Sequence, residues 1–431
     1  MSGGEGVRDH GRDVRGLSDA EAASAYSHAL LRGSGRLTAS FAVDGVLPLE
    51  QVERAVEPWI RRLPPLSLRI EDTGGAGLRF RQGAHGPCSV QASAAVDAGD
   101  DALTEGGRLW RLRVGHDRGG ATRFRLTLHP AICDGYSTAR FVRPLLDTLF
   151  ASPGHDAGQV PGHALPPDTD ALTYEGGGAC SCGACMPSGS PRRLRRAVTS
   201  YAEHGSYGGG RRERRGGRAG DAVTLALTAY ESRRLRDWCE ARQLTASGFL
   251  STVLADALAR ETGRKEVTVA TSVSLRRRYA ERTLIAEPGC VTGAVRVPLR
   301  PGTGGDPVGR ARAHAAALCA AERAWRPERR GHAGIRRSVE RDATGTGVPE
   351  LRVTDAGSVD TALGPHVGRM TGFRALAASG GGPPGGTLYL SSFKGALTVA
   401  LTSRGLGAGW PVVAERELAE AALLRPALLP A

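Results

Sequence analysis

Lysine is nearly missing from this chain: Lys265 and Lys394 stand beside 55 arginines, so almost every cationic side chain is a guanidinium. With the high glycine and alanine content, that bias reads as codon usage and not as chemistry. Long hydrophobic runs are missing too. No stretch approaches the roughly 18–20 continuous apolar residues of a bilayer span, which excludes a transmembrane helix. The opening residues, MSGGEGVRDHGRDVRG, contain no apolar core of the kind a secretory signal carries, so a cytoplasmic protein is expected. Cysteines are few and scattered, at 88, 133, 180, 182, 185, 239, 290 and 319, and a disulfide framework is not expected of such a chain.

What is present is ordinary for a folded protein: 40% hydrophobic and 23% charged residues. A length of 431 residues exceeds one ordinary core and suits two domains of about 200 residues each. The net charge of +13 is concentrated. Between Pro191 and Gly220 nine arginines face only Glu203 and Glu213, which accounts for over half of the excess. Polyanions would be attracted to GGGRRERRGGRAG, but no aromatic residues interleave there to stack on bases, so a solvated linker is expected and a nucleic-acid partner is not.

Cys180, Cys182 and Cys185 put three thiols within six residues. Together with His155, His163 or His204 they would make a zinc ligand set, the one weak metal candidate in the chain. No second CxxC pair accompanies them, and the Gly/Ser/Pro setting fits free thiols in a loop.

Periodicity orders the rest. Ser18 and Glu21 form a capping-box signature for a helix through SDAEAASAYSHALLR. RLTASFAVDG alternates as a strand, and PLEQVERAVEPWIRRL carries a helical apolar stripe that Pro58 is expected to kink. LSLRIE, LRFR, LWRLRVG and TRFRLTL read as strands, the last running straight into His129. A helix is expected from about Ser137 to Phe150, with Ser137 placed as a cap. Residues 151–220 hold the Gly, Pro, Cys and Arg excess and read as an interdomain crossover, partly disordered. Beyond it come the strand AVTLALT, the helices YESRRLRDWCEAR and ASGFLSTVLADALARE, the strands EVTVATSV and GAVRVPL, and a helix over 306–324. A late hairpin, TLYLSSF then ALTVALT, closes the series. Mixed sheets with helices on one face, an α/β (α+β) architecture, follow.

The segment LHPAICDGYS resembles the His-His-x-x-x-Asp-Gly signature of condensation domains, the superfamily of chloramphenicol acetyltransferase and the mycobacterial polyketide-associated acyltransferases. The order of elements on either side of 151–220 resembles it as well. The resemblance implies two sandwich domains, 1–150 and 221–431, facing across a groove with the motif at its centre. It implies a thioester acyl donor on coenzyme A or a phosphopantetheine arm, an acyl or peptidyl carrier protein as partner, a small-molecule or peptide acceptor, and no tightly bound cofactor. His129 matches the first, mostly structural, histidine. Asp134 and Gly135 match the aspartate and glycine, and Arg276 is the arginine expected to pair with Asp134.

The second histidine, the general base of that family, is replaced by Pro130. Proline cannot accept a proton, and general-base catalysis typically contributes about 10²–10⁴-fold. His129 would substitute only if the proline reshapes the loop, since one step along an extended backbone points it to the other side. His116, Tyr136, Ser137 and Cys133 are weaker candidates. Two readings follow: an acyltransferase-like enzyme that works by confinement without the usual base, or a non-catalytic relative that binds a carrier protein or a partner enzyme.

Overall fold

The computed structural model describes residues 13–83, 90–92, 96, 103, 107–117, 119–151, 163–175, 222–301 and 306–424. The arginine tract, Cys180, Cys182, Cys185, His155 and His204 lie outside the described residues.

The chain begins with β1 (Asp13–Gly16) and α1 (Asp19–Leu30), whose N-terminus Ser18 and Glu21 close as a reciprocal capping box. β2 (Leu37–Val43) is followed by α2 (Leu49–Arg62), which continues through Pro58. β3 (Leu68–Asp72) and β4 (Leu78–Gln82) join β1 in a three-stranded sheet. β5 (Val90–Ala92), β6 (Trp110–His116) and β7 (Thr122–Leu128) lead to α3 (Thr138–Leu149). Alternation decides their faces: Phe41 of β2 sits opposite Phe124 of β7, and the two rings stack 4.9 Å apart inside the core. Trp59 of α2 and Trp110 of β6 meet edge to face at 5.1 Å. Each indole N–H donates to a backbone carbonyl, of Phe141 and Leu66 respectively, so neither buries a bare polar group.

The second lobe runs β8 (Ala222–Ala226), α4 (Ala229–Glu240), α5 (Ala246–Thr262), β9 (Val267–Ser274), β10 (Thr292–Leu299) and α6 (Pro307–Ala324). α7 (Gly331–Ala343), β11 (Glu350–Ser358), α8 (Asp360–Leu363), β12 (Met370–Ala377), β13 (Gly385–Phe393), β14 (Ala396–Arg404) and α9 (Trp410–Ala419) complete it. Its six-stranded sheet has the order β10–β9–β11–β13–β14–β8. The expected hairpin is present: β13 and β14 turn through Lys394 (φ 50°) and Gly395 (φ 78°), the paired positive φ of a type I′ turn. Every residue of β13 is buried. Leu388 and Leu390 enter the core under α5 and α9, while Tyr389 and Phe393 enter the core of the other lobe. One strand is thus covered on both faces.

The boundaries expected at 150 and 221 do not divide the sheets. The five-stranded sheet of the first lobe has the order β12–β2–β7–β6–β5, and β12 comes from residues 370–377. α7 is the second loan. Its Ile335 and Val339 complete the first lobe's core, and its His332 accepts from the Leu78 N–H and faces the Leu17 carbonyl. The Asp19 carboxylate accepts from the Arg330 and Gly331 backbone N–H groups at the start of α7. Non-local pairing of this kind leaves no trace in local periodicity.

A fragment of residues 1–220 lacks both loans, so β2 keeps an unpaired edge and α1 an uncovered apolar face. It is expected to show no cooperative thermal transition by circular dichroism, whereas the full chain shows one. A fragment that melts cooperatively would mean β12 and α7 are dispensable.

Candidate active site

β7 delivers the chain to His129, whose backbone N–H bonds the Leu109 carbonyl, and residues 129–134 then turn inward. The Asp134 side chain is 3% exposed, and every hydrogen bond its carboxylate accepts is directional. Oδ1 accepts from the Ser137 N–H at 2.9 Å; Oδ2 accepts from Arg276 Nη1 at 2.7 Å and from the Val291 N–H at 2.9 Å. Arg276 follows β9, so the expected ion pair joins the two lobes. Its Nη2 also donates to Ser137 Oγ and to the Gly289 carbonyl. Ser137 Oγ donates to that same carbonyl and accepts from the Gly289 N–H. Ser137 is therefore not the helix cap its position suggests: α3 has no side-chain cap, and the hydroxyl is held by the interlobe network.

Gly135 follows because nothing larger fits. A Cβ there would stand 2.2 Å from Thr354 Cγ2 and 3.2 Å from Tyr389 Cε2. Tyr389 donates to the Gly135 carbonyl at 2.6 Å, and Tyr136 donates across to the Ser272 carbonyl at 3.1 Å. Burial pushes both phenols further up, which leaves them neutral hydrogen-bond donors.

The other half of the motif carries no base. Pro130 is buried, and Gly35 lies against it, with Pro130 Cβ 3.5 Å from where a Gly35 Cβ would be. The His129 Nδ1 accepts from the Ala131 N–H at 3.1 Å, which puts the neutral ring's proton on Nε2 and leaves no lone pair for a substrate. Burial, then the charge of His28, holds its pKa well below the usual histidine value. His28, on α1, is the residue that sequence reasoning missed. Its ring lies 4.3 Å from that of His129, and burial, then Arg36, lowers its pKa to about 4. No spacing rule links positions 28 and 129; only the folded chain does.

The remaining candidates are placed elsewhere or engaged. Cys133 is buried, donates to the Asp134 carbonyl, and its thiol is pushed up by burial and then by Asp134, the opposite of an activated nucleophile. His116 is exposed and meets the Leu47 carbonyl. His163 faces Glu287. Among the described residues, no group of three His, Cys, Asp or Glu side chains is arranged to hold a metal.

No family model matches the chain, and no curated protein matches it in sequence. Solved structures do match over nearly its whole length. Polyketide synthase associated protein 5 from Mycobacterium tuberculosis is 17% identical, with TM-score 0.63 over 96% of this chain and 100% of that one. The first condensation domain of the CDA synthetase is 18% identical, with TM-score 0.60 over 96% of each chain. Trichothecene 15-O-acetyltransferase from Fusarium sporotrichioides is 13% identical, with TM-score 0.65 over 96% of this chain and 94% of that one. The fold is that of condensation domains and chloramphenicol-acetyltransferase-like acyltransferases.

Removing one partner of a buried pair leaves the other charge unpaired, at about 3–5 kcal/mol. Asp134→Ala is expected to lower the melting temperature sharply, and an unchanged value would mean the pair does not hold the lobes. The histidines set a pH slope. Their folded pKa values lie below the unfolded one of 6.5, so the unfolded chain takes up protons first as pH falls. Stability is full above pH 6.5 and is lost as pH falls from there, for His28 until about 4, by up to about 1.4 kcal/mol per pH unit for each histidine. Melting curves from pH 7 to 4.5 should show this loss, and it should be shallower in His28→Asn.

Proposed function

We propose that the chain binds a thioester-bound acyl group, on coenzyme A or a carrier protein, in the cleft between its lobes and transfers or rearranges it by confinement. The observation that carries this is the split in the motif. Everything that holds the motif loop is complete, from Asp134 and Arg276 to Ser137, Gly289 and Gly135, while the base position holds Pro130. A thioester attacked by a strongly nucleophilic group needs little base catalysis, and orientation alone supplies several kcal/mol. The chain's own part is to dock the lobes, shape the cleft and exclude water. The acceptor is a small molecule or a peptide.

One observation favours a second reading, a non-catalytic module that recruits a carrier protein: residues 129–134 are all buried, so no motif side chain faces a reactant. Carrier proteins are generally acidic, and the +13 charge of the chain favours encounter with them.

Pro130→His separates these. With acyl-coenzyme A or S-acyl-N-acetylcysteamine as donor, the change is expected to raise transfer by less than about tenfold, far below the 10²–10⁴-fold that a general base typically contributes. A gain in that larger range would show an ordinary acyltransferase lacking only its base. No turnover in either form, with a carrier protein still bound, would favour the recruiting module.

A further inference from the structure

Where β11 and β13 begin, the second lobe contains a half-open cavity of about 240 Å³. Its Pro349 is five residues back from Thr354, about 17 Å along the strand from the motif loop. Four segments meet there: the end of α5, the link 344–349 that returns from α7, the link 378–384 that returns from β12, and the exit from β14. Two of the four are the return legs of the elements lent to the first lobe. The volume falls below the roughly 300–1,000 Å³ of ordinary ligand pockets, too little for coenzyme A or a peptide and suited to a molecule of few heavy atoms.

The walls are chemically divided. Pro349, Pro384 and Leu406 supply apolar surface, and Glu261 and Arg264 supply one charge of each sign. Three residues apart on a continuous helix, an acid and an arginine would pair. α5 ends between them instead. Gly263 takes φ 63°, the N–H groups of Gly263 and Arg264 turn back on the Ala259 carbonyl, and Arg264 leaves the helix. Among the described residues neither side chain makes a hydrogen bond or an ion pair. Glu261 Oε1 lies 3.3 Å from where a Gly407 Cβ would be, which sets the carboxylate against the cavity wall. The last turn of α5 adds the negative end of its dipole, so a cation is favoured on that side. On the other, a guanidinium offers the paired N–H donors that a carboxylate takes.

Opposite charges held apart around an apolar wall match a zwitterion. We propose that this cavity binds a small aliphatic α-amino acid, its ammonium on Glu261, its carboxylate on Arg264 and its side chain against Pro349, Pro384 and Leu406. The assignment is independent of the acyl-transfer reading. It has a structural consequence: a ligand held there touches the links 344–349 and 378–384 together, and so favours the state in which α7 and β12 are docked on the first lobe.

The test is thermal unfolding of the full chain with millimolar L-alanine or L-valine. A ligand that binds only the folded chain raises the melting temperature saturably, and at least one of the two is expected to raise it by about 2 °C or more. N-acetyl-L-valine lacks the ammonium and L-valinamide lacks the carboxylate, so neither should reproduce the shift. Glu261 and Arg264 are both exposed, so Glu261→Gln and Arg264→Gln should leave the unliganded melting temperature unchanged while each loses the shift. Arg300→Gln, exposed and outside the cavity, should keep it. No shift with either amino acid, an equal shift with either derivative, or an equal shift in either cavity variant would each overturn the assignment. The readout is binding away from the motif, so failure here leaves the Pro130→His comparison standing.

Discussion

The carboxylate of Asp134 ties the two lobes, and the cost of burying it dictates what surrounds it. An isolated carboxylate in a protein interior would protonate or drive the structure apart. Here Oδ1 takes the Ser137 N–H and Oδ2 takes Arg276 and the Val291 N–H. Ser137 opens α3 in the first lobe; Arg276 and Val291 belong to the second. The charge is tolerable only while the lobes are docked in this register. Apolar contact between β13 and the first core supplies area without direction; the carboxylate supplies direction. Gly135 then follows, since the loop that carries Asp134 must lie flat on Thr354 and Tyr389.

Much of this was legible because it is local. Ser18 with Glu21, the alternation of β2 and β7, and the Lys394–Gly395 turn each rest on residues a few positions apart, where propensity and pattern act. The Asp134–Arg276 pair spans 142 positions and was legible only through a family resemblance. β12 and α7 were not legible. MTGFRALA reads as a strand for any sheet, and nothing in it names β2 as its partner. α7 offers a core just Ile335 and Val339, one turn apart, too little for an amphipathic signal. Ser137 misled for a related reason: a hydroxyl at a helix start is a cap by prior expectation, and here tertiary partners claimed it.

The proline at 130 has consequences beyond a missing proton acceptor. It packs at Gly35, and the same short loop places Ser34 under Arg352. His129 lies behind it, its Nδ1 taken by the Ala131 N–H and its ring against His28. A histidine at 130 would therefore enter a site already closed by apolar and backbone contacts, and its imidazole would need space now filled. The closed packing at Pro130 and the engaged ring of His129 are one feature, and the loop they belong to joins the two lobes through Asp134.

That joint and a second polar contact between the lobes share one strand. β11 presents Thr354 to the motif loop and, further along the same face, Glu350 and Arg352, which bond each other while Arg352 reaches Ser34 of the first lobe. Glu350 takes both Arg352 and Arg296, and Arg352 reaches on to Ser34 beside Gly35 and Pro130, so this acid–arginine cluster and the Asp134 pair hold the same two lobes at two points along one face.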